Sequence, residues 1–107
     1  MRAETLKGHL DMLLLAAVHA DAAHGYAIAE TLRVRSGGTL DLPEGTLYPA
    51  LHRLERAGLL ASRWSEVGGR RRRVYRLTNK GHRALADQHG EWADFARAVH
   101  AVLEGIG

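Results

Sequence analysis

The sequence predicts a mainly α chain with one β-hairpin and a long helix at its end. Three observations carry that fold class. Apolar residues recur at helical spacing over residues 5–20, over 24–36 and within Leu42–Leu60. Two runs containing strand formers, 59–66 and 71–77, flank Val67-Gly68-Gly69. After Thr78-Asn79, apolar residues continue in heptad register to the C-terminus.

The first helix, residues 5–20, turns Leu6, Leu10, Leu13, Leu14, Ala17 and Val18 to one side. Met12 and Leu15 add apolar surface on a second side, so the helix is either central to the core or covered there by another subunit. The second helix, residues 24–36, starts at His24-Gly25, buries Ile28, Ala29 and Leu32, and stops at Ser36-Gly37-Gly38.

The third helix is the most informative. Leu47, Ala50, Leu51, Leu54 and Ala57 share one arc at 100° per residue, while Gly45, Pro49, His52 and Arg56 share the opposite one, flanked by Tyr48 and Arg53. The outer arc has donors and cations and no carboxylate at its centre. Gly58 stops the helix. Its beginning is open. Asp41 and Glu44 are both candidate caps, and Pro49 cannot pair with the Gly45 carbonyl, so the regular helix either starts near Thr46 or is kinked there.

The hairpin follows, with Arg70, Arg71, Arg72 and Arg73 directly after its turn. Alternate side chains of a strand face opposite ways, so at least two arginines project from it. Thr78-Asn79 caps the last helix, residues 79–105. Leu85, Trp92, Phe95, Val99, Val102 and Ile106 are spaced 7, 3, 4, 3 and 4 apart, an a/d seam interrupted only by Gln88. Such a seam must fold back on the domain or meet a partner chain.

Composition narrows the function classes. A length of 107 residues suits one modest core, a size at which oligomerisation commonly adds stability. With no cysteine there are no disulfides, thiolate chemistry or zinc–cysteine sites. The longest apolar run, Met12–Val18, is far short of a membrane span, and no signal-peptide pattern precedes it. The expected location is therefore the cytoplasm, with no membrane partner. Net charge is +3 but unevenly spread: zero over residues 1–40, +6 over 41–83 (ten Lys/Arg against four Asp/Glu) and −3 over 84–107. A basic block centred on the third helix and hairpin calls for a polyanion.

No Ser-His-acid spacing, HxH or HExxH pattern appears, and the seven histidines form no compact ligand cluster, so neither an enzyme nor a metal or other cofactor is expected. Helix, helix, helix, hairpin is instead the order of a winged helix-turn-helix, in which the third helix enters the major groove of double-stranded DNA and the wing reaches phosphates or the minor groove. The expected division is a DNA-binding domain at 1–78 and a dimerisation helix at 79–107. His52, Arg53 and Arg56 are the candidate base readers. Thr46 and Tyr48 suit phosphates, Gly45 permits close backbone approach, and Pro49 lies at the same entry. Arg70–Arg73 are candidate phosphate contacts, and Tyr26, at the opening of the second helix, joins the DNA-facing set.

The blocks LKGHLDMLLLAAV, HGYAIAETL, LPEGTLYPALHRLERAGLL and RRRRVYRLTNKG resemble the PadR family of bacterial transcriptional regulators from about Leu6 to Gly81. TLYPALHRLERAGLL is the most diagnostic block, and the single last helix with EWADF resembles the short branch of the family. The resemblance implies a homodimer joined through the last and first helices, bound to a palindromic operator and usually repressing. In some short members a flat aromatic effector sits at the dimer centre against a tryptophan on the last helix, and Trp92 falls at that position. Phe95, Val99, Met12 and Leu15 would be its neighbours. Trp92 has a second reading as plain interface packing. The alternative for the whole chain is a winged-helix adaptor that binds protein without specific DNA readout.

Overall fold

The structure, a computed structural model, describes residues 6, 8–21 and 23–106. Helix α1 spans Leu10–Ala20 and α2 spans Gly25–Arg35, with the two-residue strand β1, Ala23–His24, between them. Helix α3 is Glu44–Arg56, β2 is Leu60–Val67, β3 is Arg70–Leu77, and α4 is Asn79–Leu103, followed by a 3₁₀ turn at Glu104–Ile106. The mainly α winged-helix class expected from the sequence is therefore what the chain adopts. Residue 5, the expected start of the first helix, lies outside the described residues; Gly8-His9 is a turn and the regular helix starts at Leu10. No described helix is long and apolar enough to cross a membrane.

The core is one cluster. Leu14, Leu15, Ile28, Leu47, Leu51, Leu54, Leu60 and Tyr75 form its fully enclosed centre. The apolar arc of α3 is buried as its periodicity requires, except that Ala57 lies at the exposed C-cap. Leu15 also departs from expectation. It is 0% exposed in the chain's own core, whereas Met12, Leu13 and Ala16 carry the second side of α1. That second side faces α4, so part of its cover comes from the same chain.

The third helix starts earlier than Thr46. Pro43 is its N-cap, and the Pro43 carbonyl accepts from the amides of Thr46 and Leu47, each at 3.0 Å. Neither Asp41 nor Glu44 caps it. Pro49 lies six positions into the helix, leaving only the Gly45 carbonyl without its usual partner, and Gly45 is exposed, so water can serve it.

The hairpin turn is shorter than expected. Val67 pairs with Arg70, leaving only Gly68-Gly69 as the loop, with φ of 59° and 76°. Positive φ at both positions is what a two-residue type I′ connection demands. All four arginines thus lie within β3. The sheet has three strands in the order β1-β3-β2, because Ala23 and His24 pair with Tyr75 and Val74.

One junction ties α3, the hairpin and α4 together. Gly58 ends α3 at φ 77°. The Thr78 hydroxyl donates to the Gly58 carbonyl at 2.6 Å and accepts from the Gly81 amide at 3.0 Å, while Lys80 Nζ donates to the Ala57 carbonyl at 2.8 Å. Gly81 is buried against Leu59, and a Cβ there would overlap the Leu59 carbonyl. Gly81→Ala is therefore expected to lower stability by about 1–3 kcal/mol. A urea midpoint equal to that of the parent chain would show that the contact is not close-packed.

Candidate nucleic-acid interface

The outward face of α3 is built by the burial of its other face. With Leu47, Ala50, Leu51 and Leu54 enclosed, Gly45, Pro49, His52, Arg53 and Arg56 are exposed, and Thr46 and Tyr48 are half-buried at the edge. Tyr48 packs on the first turn of α2: a Cβ at Gly25 would lie 2.5 Å from Tyr48 Cε1. Gly25 thus lets the ring close the gap between the two helices. Tyr26, one residue on, is 65% exposed.

The cations on these elements differ in how they are engaged. Arg53 forms an exposed ion pair with Asp11 of α1, an arrangement that adds at most about 1 kcal/mol to stability but orients the guanidinium. Arg73 is anchored. Its Nε donates to Ser62 Oγ at 2.7 Å, and Ser62 Oγ in turn donates to Glu55 Oε2 at 2.7 Å. The Arg73 guanidinium lies 3.8 Å from the same Glu55 oxygen. Among the described residues, Arg56, Arg70, Arg71 and Arg72 make no ion pair.

A cleft of about 290 Å³ opens between α2, α3 and the hairpin, lined by Gly25, Tyr48, His52, Trp64 and Arg71–Arg73. His24 forms another part of its wall, with Nδ1 buried and unpartnered among the described residues. Burial first, and then the Arg72 guanidinium, hold the His24 imidazole below its ordinary pKa, favouring the neutral ring. Strand alternation places Arg71 and Arg73 on the sheet face of Tyr75, together with Trp64, and Arg70 and Arg72 on the other.

Sequence reasoning did not single out Trp64, Glu55, Ser62, His24 or Gly25 as parts of this surface. Trp64 was legible only as a strand former. The Glu55–Ser62–Arg73 chain joins a helix to two strands, and no spacing rule signals it.

The second expected site lies between α1 and α4. Trp92 and His9 meet edge to face, ring centroids 4.9 Å apart, and Trp92 lies 6.2 Å from Phe95. An apolar groove of about 820 Å³ runs beside it, lined by Met12, Leu13, Ala16, Leu85 and Trp92. His19 and His82 meet edge to face along this groove at 5.6 Å. Leu15 does not reach it, being enclosed in the core. Leu85 also packs inward on the chain's own core, so the outward part of the seam begins at Trp92. Beyond it, Phe95, Val102, Leu103 and Ile106 are 59%, 79%, 51% and 75% exposed, and Val99 is half-buried.

Comparison with known proteins gives this arrangement a context. Residues 14–87 match the family model described as the transcriptional regulator PadR-like family. A PadR family transcriptional regulator from Eggerthella lenta is 35% identical, with a TM-score of 0.81 over 95% of this chain and 88% of the other. A PadR-like transcriptional regulator from Bacillus cereus is 25% identical, with a TM-score of 0.85 over 96% and 99% of the two chains. A transcriptional regulator of Mycobacterium tuberculosis is 53% identical over 55 residues, 51% of each chain.

The packing of Tyr48 on Gly25 can be tested apart from any ligand. Gly25→Ala is expected to destabilise the fold by about 1–3 kcal/mol, and Tyr48→Ala in the same chain should recover part of that loss. Strictly additive losses in urea unfolding would show that the two residues are not coupled.

Proposed function

Because the chain belongs to the PadR-like family of transcriptional regulators, we propose that it acts in the cytoplasm as a repressor that binds a palindromic operator as a homodimer. The family is one of regulators and not of enzymes. In this reading residues 1–78 form the DNA-reading unit and 79–107 the dimerisation helix. The observation that carries it is the pairing of two surfaces. The outer arc of α3, with no carboxylate at its centre, adjoins a wing whose Arg70, Arg71 and Arg72 make no ion pair among the described residues.

His52 and Arg56 project where a helix in the major groove presents its side chains to base edges, and Arg53 stands beside them under the hold of Asp11. Gly45, Thr46, Tyr48, Pro49 and Tyr26 flank this face and serve the sugar–phosphate backbone, together with the wing arginines. A strand of backbone running between the two grooves would pass the cleft of Gly25, Tyr48 and His52.

The dimer reading is supported by the apolar stripe from Trp92 to Ile106, much of it exposed in the single chain. The effector reading is supported by the groove beside Trp92, offered to a flat aromatic molecule that stacks on the indole. It is also supported by the position of α1. Asp11 holds Arg53 of α3, while the neighbouring His9 and Met12 line the site of Trp92, so a ligand there would act on the helix that orients a reader.

Three measurements distinguish these readings from their rivals. Arg71→Ala with Arg72→Ala should weaken binding to all duplexes and flatten the dependence on salt, by roughly one unit of logarithmic slope for each phosphate that is no longer neutralised. Arg56→Ala should instead change which duplexes are recovered from a random pool, costing about 1–3 kcal/mol at one position of each half-site. A wing variant that binds like the parent at physiological salt, or a pool without a palindrome, would favour the protein-adaptor alternative. Phe95→Glu with Val102→Glu should yield a folded monomer by light scattering, since both side chains are exposed and outside the core; an unchanged dimer mass would refute the seam.

A further inference from the structure

The wing contains an arrangement that the DNA-binding reading does not by itself require. Trp64 is 54% exposed, a costly position for an indole that fills no core space. Two guanidinium groups lie against its ring, Arg71 at 5.1 Å and Arg73 at 5.3 Å from the centroid. Arg73 is the cross-strand neighbour of Trp64 and is also held by Ser62 and Glu55, so its position has two causes. Among the described residues Arg71 has no such second hold. Its direct cross-strand neighbour is Glu66, a carboxylate on the same sheet face and the expected ion-pair partner. The two form no ion pair, and the Arg71 guanidinium lies over the diagonal indole instead.

The difference matters because a guanidinium stacked on an aromatic face keeps its N–H edge available to an oxyanion. One paired with a carboxylate presents reduced net charge and fewer open donors. We propose that Trp64 is a positioning residue for the wing: its indole holds Arg71 away from Glu66, so that the guanidinium stays extended and un-neutralised for a phosphodiester of duplex DNA. The inference rests on the DNA-binding reading above. It adds that the charge of the arginine run is made usable by a side chain that need not itself touch DNA. The remaining neighbours do not substitute for it. Arg70 and Arg72 alternate to the other sheet face, Arg72 reaching only the shared cleft and neither lying over the indole, and Glu55 is occupied by Ser62 and Arg73.

The test uses the full-length chain and a labelled random-sequence duplex, with affinity measured by fluorescence anisotropy across a salt series. Trp64→Leu keeps apolar bulk but removes the aromatic face. It should weaken binding about two- to fivefold per wing, the worth of an exposed cation–π interaction, and flatten the logarithmic salt slope by about one per wing. Trp64→Tyr should stay close to the parent. Arg71→Ala should weaken binding by itself, and adding Trp64→Leu to it should cost nothing more. Glu66→Gln should improve binding more in the Trp64→Leu chain than in the parent, because only there does Glu66 capture Arg71.

Several results would overturn the proposal. These are an unchanged affinity for Trp64→Leu, equal losses for the leucine and tyrosine variants, additive losses with Arg71→Ala, or the same gain from Glu66→Gln in both backgrounds. An Arg71→Ala chain that binds like the parent would instead overturn the underlying assignment of the wing to DNA. The exposure of Trp64 keeps the substitutions out of the core, and the tyrosine chain supplies a conservative control should the leucine chain not fold.

Discussion

The architecture depends on a close approach between the end of α3 and the start of α4. Leu59 lies so near Gly81 that only a hydrogen atom fits on the Gly81 α-carbon. Around that contact, Thr78 bridges the Gly58 carbonyl and the Gly81 amide, and Lys80 reaches the Ala57 carbonyl. The hairpin opens and closes within the same few residues, since Leu60 pairs with Leu77. Three elements are therefore referenced to one point: the helix proposed to read bases, the wing proposed to hold phosphates, and the helix proposed to join two copies. Each hydrogen bond is individually worth about 1 kcal/mol. Their joint value is geometric, because a shift at the junction would move all three elements relative to one another.

From that point outward, fixed partners take some cations and leave others. Arg73 is neutralised by a carboxylate of α3, and Arg53 by one of α1. These pairs are exposed enough to add little to stability, but they connect the surface proposed to face DNA to the elements behind it. Arg56, Arg70, Arg71 and Arg72 are not so engaged among the described residues. A basic run thus does not act as uniform charge. Strand alternation divides it between two faces, and neighbouring side chains decide which members are structural.

Periodicity and turn chemistry made most of the fold legible. Four leucine and alanine positions of α3 lie inside as their spacing required, Gly58 ends the helix, and Thr78 caps the next. The misses have identifiable physics. Two residues, Ala23 and His24, are too few to carry an alternation pattern, so β1 was invisible. Pro49 left the start of α3 open between a beginning near Thr46 and a kink, because its missing amide costs one hydrogen bond; six residues into the helix the partner carbonyl of Gly45 is exposed and the cost is small. Leu15 and Met12 sit on one apolar helix, and which of them enters the core depends on where α2, α3 and α4 press on it. For the proposed DNA surface, the residue types were legible and their engagements were not. Those engagements run between elements distant in sequence, as in Glu55–Ser62–Arg73.

The position of α1 connects the two sites. One side of it, through Leu14, Leu15 and Val18, enters the core under α3. A second side, through Met12, Leu13 and Ala16, lines the groove against α4. Asp11 extends from it to Arg53 on the outward face of α3. A displacement of this helix at Trp92 would reach its fit to the core and its hold on Arg53. Interiors at native density do not absorb such a shift locally. The groove proposed for an effector and a side chain proposed to read DNA thus share one helix, with no need for a separate path between them.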